Sequence, residues 1–209
     1  MNYAVKKKLI ATDTVWRLAL RPYSGVDGPT VRYLELDQCK ALQEAAEADF
    51  RPLIIAALFT GGRYGSLRHL KVKDIDFRAR NALFRVTKSG KKQAVRLTAA
   101  ACKFLKDQID GKPANDYVFV KASGEQWKKS DQSRRMIEAC AKAKIAPPAT
   151  FHELRDTFAS HLVMAEVPIL TVSKLLGHAD VRITEKDYAH LRPDHLQKAV
   201  DEKLPDFGA

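Results

Sequence analysis

The chain has 209 residues, 45% of them hydrophobic, which suffices for one substantial core and at most a short appendage. Its 36 lysines and arginines against 25 acidic residues give a formal net charge of +11, which favours a polyanionic partner, nucleic acid first. No apolar run approaches the roughly 20 residues of a membrane span, and three widely spaced cysteines argue against a disulfide scaffold or a zinc site. We therefore expect a cytoplasmic protein without membrane association or a bound metal.

The first 30 residues differ in pattern from the rest of the chain. Three consecutive lysines at 6–8 precede a short apolar stretch, and the segment Ser24–Pro29 breaks any regular pattern. We interpret 1–30 as a linker or the remnant of an absent upstream element, and 31–209 as the folded domain.

Two helices are predicted at the start of this domain. The first begins at Asp37, where the apolar positions take on helical spacing. The second begins near Asp49, carries Pro52 in its first turn, where proline is tolerated, and ends at Gly61-Gly62.

Between Ile75 and Leu97 the apolar spacing changes to a period of about two. This alternation predicts two antiparallel strands with a hairpin turn at Ser89-Gly90.

Helical patterns return in the second half of the chain. A capping box of Thr150 and Glu153 marks one helix start. Other predicted helices cover 98–110, 130–144, a short stretch from Pro168 to Gly177, and an exposed C-terminal stretch from Pro193 to Leu204. The predicted fold is mainly α-helical with one small antiparallel β-sheet, in the α+β class.

Basic residues concentrate in two segments. Residues 78–96 contain seven basic and no acidic residues, and residues 121–135 contain five basic and two acidic residues. Such side chains can be merely solvated, but a surface built only for solubility mixes both signs of charge. We therefore predict that these segments contact a phosphate backbone. The candidate contacts are Arg85, Lys91, Lys92, Arg96, Lys128 and Lys129.

The sequence lacks the glycine-rich loops of ATP and nicotinamide sites and the spacings of metal ligands, so we expect neither a cofactor nor a metal. What remains is a set of residues, scattered along the chain, whose side chains are rich in hydrogen-bond donors. Each member has an ordinary alternative: an arginine after a turn, a histidine near a helix start, a tyrosine at the edge of a core. Together the side chains suit a phosphate whose oxygens gain charge in a transition state. The set is Arg63, Lys88, His152, Arg155, His178 and Tyr188.

Five motifs, in order, carry a resemblance to a known family. They are TGGRYGSL at 60–67, TKSGK at 87–91, HELR at 152–155, LLGH at 175–178 and YAH at 188–190. Over roughly residues 34–192 they resemble the ordered signature of the tyrosine recombinases, the phage integrase family.

The resemblance implies the catalytic-domain fold of these DNA breaking and rejoining enzymes, with double-stranded DNA as partner. It implies site-specific recombination, as in a phage or mobile-element integrase, by metal-free strand cleavage. Tyr188 would attack a backbone phosphate, leaving a 3′-phosphotyrosyl bond and a free 5′-hydroxyl, and Lys88 would protonate the leaving 5′-oxygen. Because the phosphotyrosyl bond retains the energy of the broken phosphodiester, rejoining needs no ATP.

The resemblance also assigns the other site residues. Arg63 and Arg155 would bind the non-bridging phosphate oxygens, since each guanidinium can donate two aligned hydrogen bonds. His152 would assist proton transfer at the tyrosine, and His178 would donate to the phosphate.

Two departures from the family pattern stand out. Ser66 occupies a position where many members carry an acidic residue, so we expect reduced support for Arg63. The family also has an upstream core-binding domain, which 1–30 is too short to form. We therefore expect this chain alone to be a monomer that binds DNA weakly and in a salt-sensitive manner, and the full-length bacterial or phage-encoded protein to be a tetramer on DNA.

Two alternative functions remain open on the same fold. One is DNA relaxation of the type IB topoisomerase kind, and the other is a DNA-binding regulator without catalysis. The complete set of arginines, histidines, lysine and tyrosine argues against the regulator.

Overall fold

The computed structural model of the chain describes residues 31–85 and 92–192. The helices in these ranges are α1 (Leu36–Ala45), α2 (Arg51–Thr60), α3 (Tyr64–Leu67), α4 (Ala99–Ile109), α5 (Asp131–Lys142), α6 (Phe151–Met164), α7 (Ile169–Leu176) and α8 (Val181–Tyr188). The strands are β1 (Ile75–Asp76), β2 (Asn81–Phe84) and β3 (Gln93–Arg96), and single 3₁₀ turns cover Val72–Asp74 and Ala189–Leu191. The predicted class, mainly α-helical with a small antiparallel sheet, is confirmed.

The sheet has the strand order β1-β2-β3, and both pairs are antiparallel. Two residues of β2 pair on both sides: Ala82 lies opposite Ile75 and Val95, and Asn81 lies opposite Asp76 and Arg96. Strand β1 was not predicted, because two residues are too few to show alternation.

Helix α6 lies at the centre of the fold. Its predicted capping box is present: the Thr150 main-chain N–H donates to Glu153 at 2.6 Å, and the Glu153 N–H donates to the Thr150 hydroxyl at 3.3 Å. The N-terminal half of α6 belongs to the larger hydrophobic core with α2, and its C-terminal half belongs to a smaller core with α7 and α8. Residues along α6 therefore reach the ends of several helices.

Two helices end on glycines in the left-handed conformation, Gly61 after α2 (φ 62°) and Gly177 after α7 (φ 68°). A Cβ atom at Gly61 would lie 2.6 Å from the Phe158 ring, and one at Gly177 would lie 2.5 Å from the Gln93 side chain. The left-handed conformation favours glycine at both helix ends. At Gly61 the Phe158 ring also leaves no room for a Cβ atom, whereas the flexible end of the Gln93 side chain near Gly177 can move.

Helix α8 was not predicted. Its sequence is mostly polar, its buried residues are Thr184 and Tyr188, and Val181 packs partly buried beside them, so it has few apolar residues from which to recognise it. Asp180 caps its start by accepting a hydrogen bond from the Arg182 N–H at 2.9 Å. This helix delivers Tyr188 to the interior.

Several expectations fall outside the described residues. They are the linker or remnant over 1–30, the Ser89-Gly90 turn, Lys88, Lys91 and the helix over 193–204. Across the helices that the structure describes, none combines the length and apolar character needed to cross a bilayer.

Candidate active site

Arg155 is the buried anchor of the site. It projects from α6, is 3% exposed, and donates from Nη1 to the Gly61 carbonyl at 2.8 Å and from Nη2 to the Leu176 carbonyl at 2.6 Å. These carbonyls lie at the C-terminal ends of α2 and α7, where the helix dipole is negative and carbonyls lack helical partners. Burial and then the neighbouring Arg63 charge lower the pKa of Arg155 to about 10, so it stays cationic at neutral pH.

Arg63 lies beside this anchor. It directly precedes α3, two residues after Gly61, and its side chain is half-buried. Burial lowers the pKa of Arg63, while Tyr188 acts in the opposite direction. Two guanidinium groups held close enough to repel each other create a local positive potential that a bound anion relieves.

Tyr188 ends α8 with its hydroxyl turned inward. The residue is 2% exposed, and its hydroxyl donates to Asp156 Oδ1 at 2.7 Å. Burial raises the pKa of Tyr188 above its usual value, and the Asp156 hydrogen bond raises it further. The phenol is therefore fully protonated at neutral pH.

Asp156 was not predicted from the sequence, because the motifs indicate donors to a phosphate and not an acceptor for the tyrosine proton. It follows Arg155 on α6, and burial raises its pKa. The one local signal was its i, i+4 spacing from His152, which places both side chains on one helix face. The contact with Tyr188 joins residues 32 positions apart and has no local signature.

His178 follows the glycine that ends α7. Its Nδ1 is paired with the hydroxyl of buried Thr184 at 2.8 Å. Burial is the main cause that lowers the pKa of His178 to about 4, and the positive charges of Arg155 and Arg63 lower it further. The ring is neutral at neutral pH, and a Thr184 hydroxyl that donates to Nδ1 leaves Nε2–H to donate to an anion.

We expect His178 to make stability depend on pH. Its pKa is near 6.5 when exposed and about 4 in the folded protein, so the unfolded chain binds more protons. The stability from the neutral ring is complete above about 6.5 and is lost as the pH falls towards about 4. Urea unfolding at a series of pH values measures this effect. As the pH falls, the free energy of unfolding should decrease less steeply for His178→Gln than for the wild type. Asp156 has a raised pKa and acts in the opposite sense, but it is present in both proteins. Identical pH dependence would contradict the assignment.

His152 lies at the rim of the site. Its side chain is 66% exposed, and its Nε2 lies 3.9 Å from Asp156 Oδ1. Arg155 is buried, whereas His152, three residues earlier on α6, lines a groove of about 550 Å³. Arg63 lines the same groove, together with residues of α5. The groove gives a ligand access to both side chains.

The predicted site residues of the first basic segment, the catalytic candidate Lys88 and four backbone contacts, divide into three groups. Lys88 and Lys91 lie outside the described residues, Lys92 and Arg96 are exposed, and Arg85 forms an ion pair with Asp74. Asp74 is buried, and the pair reduces the positive charge that Arg85 presents. The count over 78–96 could not show this, because Asp74 lies outside that segment.

Strand β3 connects the sheet to the site. The Gln93 side chain donates from Nε2 to the Leu175 carbonyl at 3.0 Å, at the end of α7. Exposed Lys92 therefore lies next to a residue that contacts the turn carrying His178.

The second basic segment is partly neutralised by ion pairs. Lys121 pairs with Asp131 at 2.6 Å, and Arg135 pairs with Asp49 at 2.8 Å. The predicted contacts Lys128 and Lys129 are exposed. Over 31–85 and 92–192, no group of three or more His, Cys, Asp and Glu side chains is arranged to hold a metal ion.

Comparison with known proteins agrees with this geometry. The integrase of Salmonella phage P22 is 29% identical over 206 residues, which cover 92% of this chain and 53% of the phage protein. The crystal structure of XerA recombinase is 30% identical with a TM-score of 0.65, covering 90% of this chain and 68% of that one. The catalytic domain of bacteriophage HP1 integrase is 25% identical with a TM-score of 0.65, covering 83% of this chain and 95% of that domain.

The chain spans about half the length of the phage integrases it matches. The model of the Phage integrase family matches residues 32–195, which include Arg63, Arg155, His178 and Tyr188. The chain belongs to the phage integrase family.

Proposed function

We propose that this chain is the catalytic part of a site-specific DNA recombinase that cleaves and rejoins strands through a 3′-phosphotyrosyl bond at Tyr188. One observation supports the proposal most directly. The hydroxyl of buried Tyr188 is hydrogen-bonded to Asp156, a proton acceptor, and it interacts electrostatically with the neighbouring guanidinium groups of Arg63 and Arg155.

The cationic pair suits a phosphodiester in the act of transfer. Non-bridging oxygens gain charge as the nucleophile attacks, and preorganised guanidinium donors stabilise that charge without a metal. Arg155 is held by two main-chain carbonyls, so its position is set before DNA binds. The neutral His178 adds an N–H donor without a further positive charge.

The proposal assigns protonation of the leaving group to Lys88. Its ammonium would protonate the 5′-oxygen as the strand breaks, and the free 5′-hydroxyl would later attack the phosphotyrosine to rejoin the strand. His152, at the rim of the groove, would assist proton movement at the tyrosine end through Asp156, which lies between them.

The same proposal covers the domain organisation, the oligomeric state and the DNA contacts of the whole protein. Residues 31–209 would form the catalytic domain, preceded by a linker over 1–30, and the full-length enzyme would act as a tetramer on double-stranded DNA in the cytoplasm. Exposed Lys92, Arg96, Lys128 and Lys129 would contact the phosphate backbone. None of the observations favours DNA relaxation or a silent regulator.

Covalent capture of DNA tests this function. The substrates are nicked duplexes from the DNA flanking the gene, in which the short fragment diffuses away after cleavage and traps the intermediate. Because the cationic side chains take the place of a metal, an adduct that survives denaturation should form equally with excess EDTA and with Mg²⁺. A 5′-end label upstream of the break should remain with the protein, as a 3′-phosphotyrosyl bond requires. An adduct that forms only with Mg²⁺, or one that retains the downstream fragment, would contradict the proposal.

A further inference from the structure

We propose that Asp156 is a catalytic residue, the general base that takes the Tyr188 proton during strand cleavage; this inference rests on the proposed function. The observation behind it is the hydrogen bond from the Tyr188 hydroxyl to Asp156 Oδ1 at 2.7 Å. That distance is within the range in which a general base must stand from the proton it removes.

Tyr188 needs an acceptor because its own ionisation is disfavoured. Burial and the adjacent carboxylate raise its pKa above the usual value for tyrosine. A preformed phenolate is therefore scarce at neutral pH, and the proton must leave as the oxygen attacks.

The other neighbours are poor acceptors for this proton. The guanidinium groups of Arg63 and Arg155 carry no acceptor atom. The Nδ1 of His178 is engaged with the Thr184 hydroxyl. Asp156 is the group whose oxygen already receives the Tyr188 hydrogen.

The step balances in atoms and charge. The bond from Tyr188 Oη to phosphorus forms while the bond from phosphorus to the 5′-oxygen breaks, and the Oη proton moves to Asp156 Oδ1. The 5′-oxygen takes a proton from the acid assigned to Lys88. On rejoining, Asp156 returns its proton to Tyr188 Oη as the bond from Oη to phosphorus breaks, and the attacking 5′-hydroxyl gives its proton back to the neutral amine assigned to Lys88.

The surroundings of Asp156 suit a base that works near neutral pH. On α6 it faces His152, Arg155 and Glu153, and from α8 it faces Tyr188. Burial raises its pKa, which brings a carboxylate closer to the pH at which it acts, and a base is most effective there. His152, 3.9 Å away and mostly exposed, offers a route by which the proton reaches solvent.

The variants Asp156→Asn and Asp156→Glu test the role. Asparagine keeps a carbonyl oxygen that accepts the Tyr188 hydrogen bond but is not basic, whereas glutamate keeps the carboxylate. Asp187→Asn is the matched control, since it removes a carboxylate adjacent to Tyr188 on α8 that makes no hydrogen bond to the hydroxyl. Thermal melting establishes that each variant folds.

Single-turnover cleavage of the suicide substrate, with saturating protein and over a range of pH, is the measurement. We expect Asp156→Asn to slow adduct formation by about 10²- to 10⁴-fold and to remove the acid limb of the wild-type pH profile. Asp156→Glu should retain that limb with a partial loss of rate, and Asp187→Asn should stay within a few-fold of the wild type.

A substrate with sulfur in place of the bridging 5′-oxygen separates the two proton transfers. A thiolate leaves without protonation, so this substrate should rescue Lys88→Ala but not Asp156→Asn. Rescue of Asp156→Asn would overturn the inference, because Asp156 would then act on the leaving group. Cleavage by Asp156→Asn at the wild-type rate or faster would also overturn it, because the contact would then only hold Tyr188 in a resting position. A wild-type protein that forms no adduct overturns the proposed function as well, whereas failure of the Asp156 tests alone leaves that function standing.

Discussion

Tyr188→Phe should abolish the covalent DNA adduct while the protein still folds and binds DNA. The substitution removes only the hydroxyl oxygen, which is the atom assigned to attack phosphorus, and leaves the ring in the core that α8 forms with α6 and α7. The lost hydrogen bond to Asp156 should cost about 1–3 kcal/mol of unfolding free energy, because a partly buried carboxylate loses a donor. Adduct formation on the suicide substrate, together with urea unfolding, measures both effects.

Tyr64→Phe is the matched control for this variant. Tyr64 is also buried, and its hydroxyl donates a hydrogen bond to the Lys128 carbonyl at 2.9 Å. We expect a comparable loss of stability and an adduct at the wild-type level. An adduct that persists in Tyr188→Phe would show that another residue is the nucleophile.

Arg155→Ala should have the next largest effect, on stability and catalysis together. It leaves the carbonyls of Gly61 and Leu176 buried without their donor, which we expect to lower the unfolding free energy by about 2–4 kcal/mol. It also removes the cation that we propose binds the phosphate, so cleavage should fall by about 10²- to 10³-fold, as with loss of an oxyanion donor. Arg155→Lys should be intermediate, because one ammonium cannot span both carbonyls in the geometry of a guanidinium.

Arg68→Ala separates stability from catalysis. Arg68 donates to the Trp127 carbonyl at 2.9 Å, so its loss also removes a donor from a main-chain acceptor. The charged groups of the described residues that shift the pKa of Tyr188 are Asp156, Arg155 and Asp187, not Arg68. At a temperature where all variants remain folded and with saturating DNA, Arg68→Ala should cleave at the wild-type rate. Cleavage by Arg155→Ala at that same rate would contradict the role given to Arg155.

The ends of the helices were predictable where the backbone restricts the choice of residue. Gly61 and Gly177 adopt left-handed conformations, and Thr150 with Glu153 closes a capping box. These features are local, so a few neighbouring residues specify them. Helix α8 has a local signal only at its start, the Asp180 cap, and its buried residues Thr184 and Tyr188 are recognised only once the helix is packed in the fold.

In the candidate site, the arginines and the tyrosine could be predicted from the sequence, but the carboxylate that accepts the tyrosine hydrogen bond could not. Arg63, Arg155 and Tyr188 were identified from ordered motifs, and the structure brings them together. Asp156 needed the tertiary contact between α6 and α8 to be recognised. Local charge counts were limited in the same way, since the pairing of Arg85 with Asp74 depends on the folded sheet.

The central claim is that Tyr188 becomes covalently bonded to DNA. Trapping the adduct on a suicide duplex, digesting both protein and DNA, and sequencing the modified peptide by tandem mass spectrometry tests it directly. We predict a nucleotide 3′-phosphate on Tyr188, formed equally with excess EDTA. A modification on another residue, or a trapped complex with no covalent bond to the protein, would contradict the account.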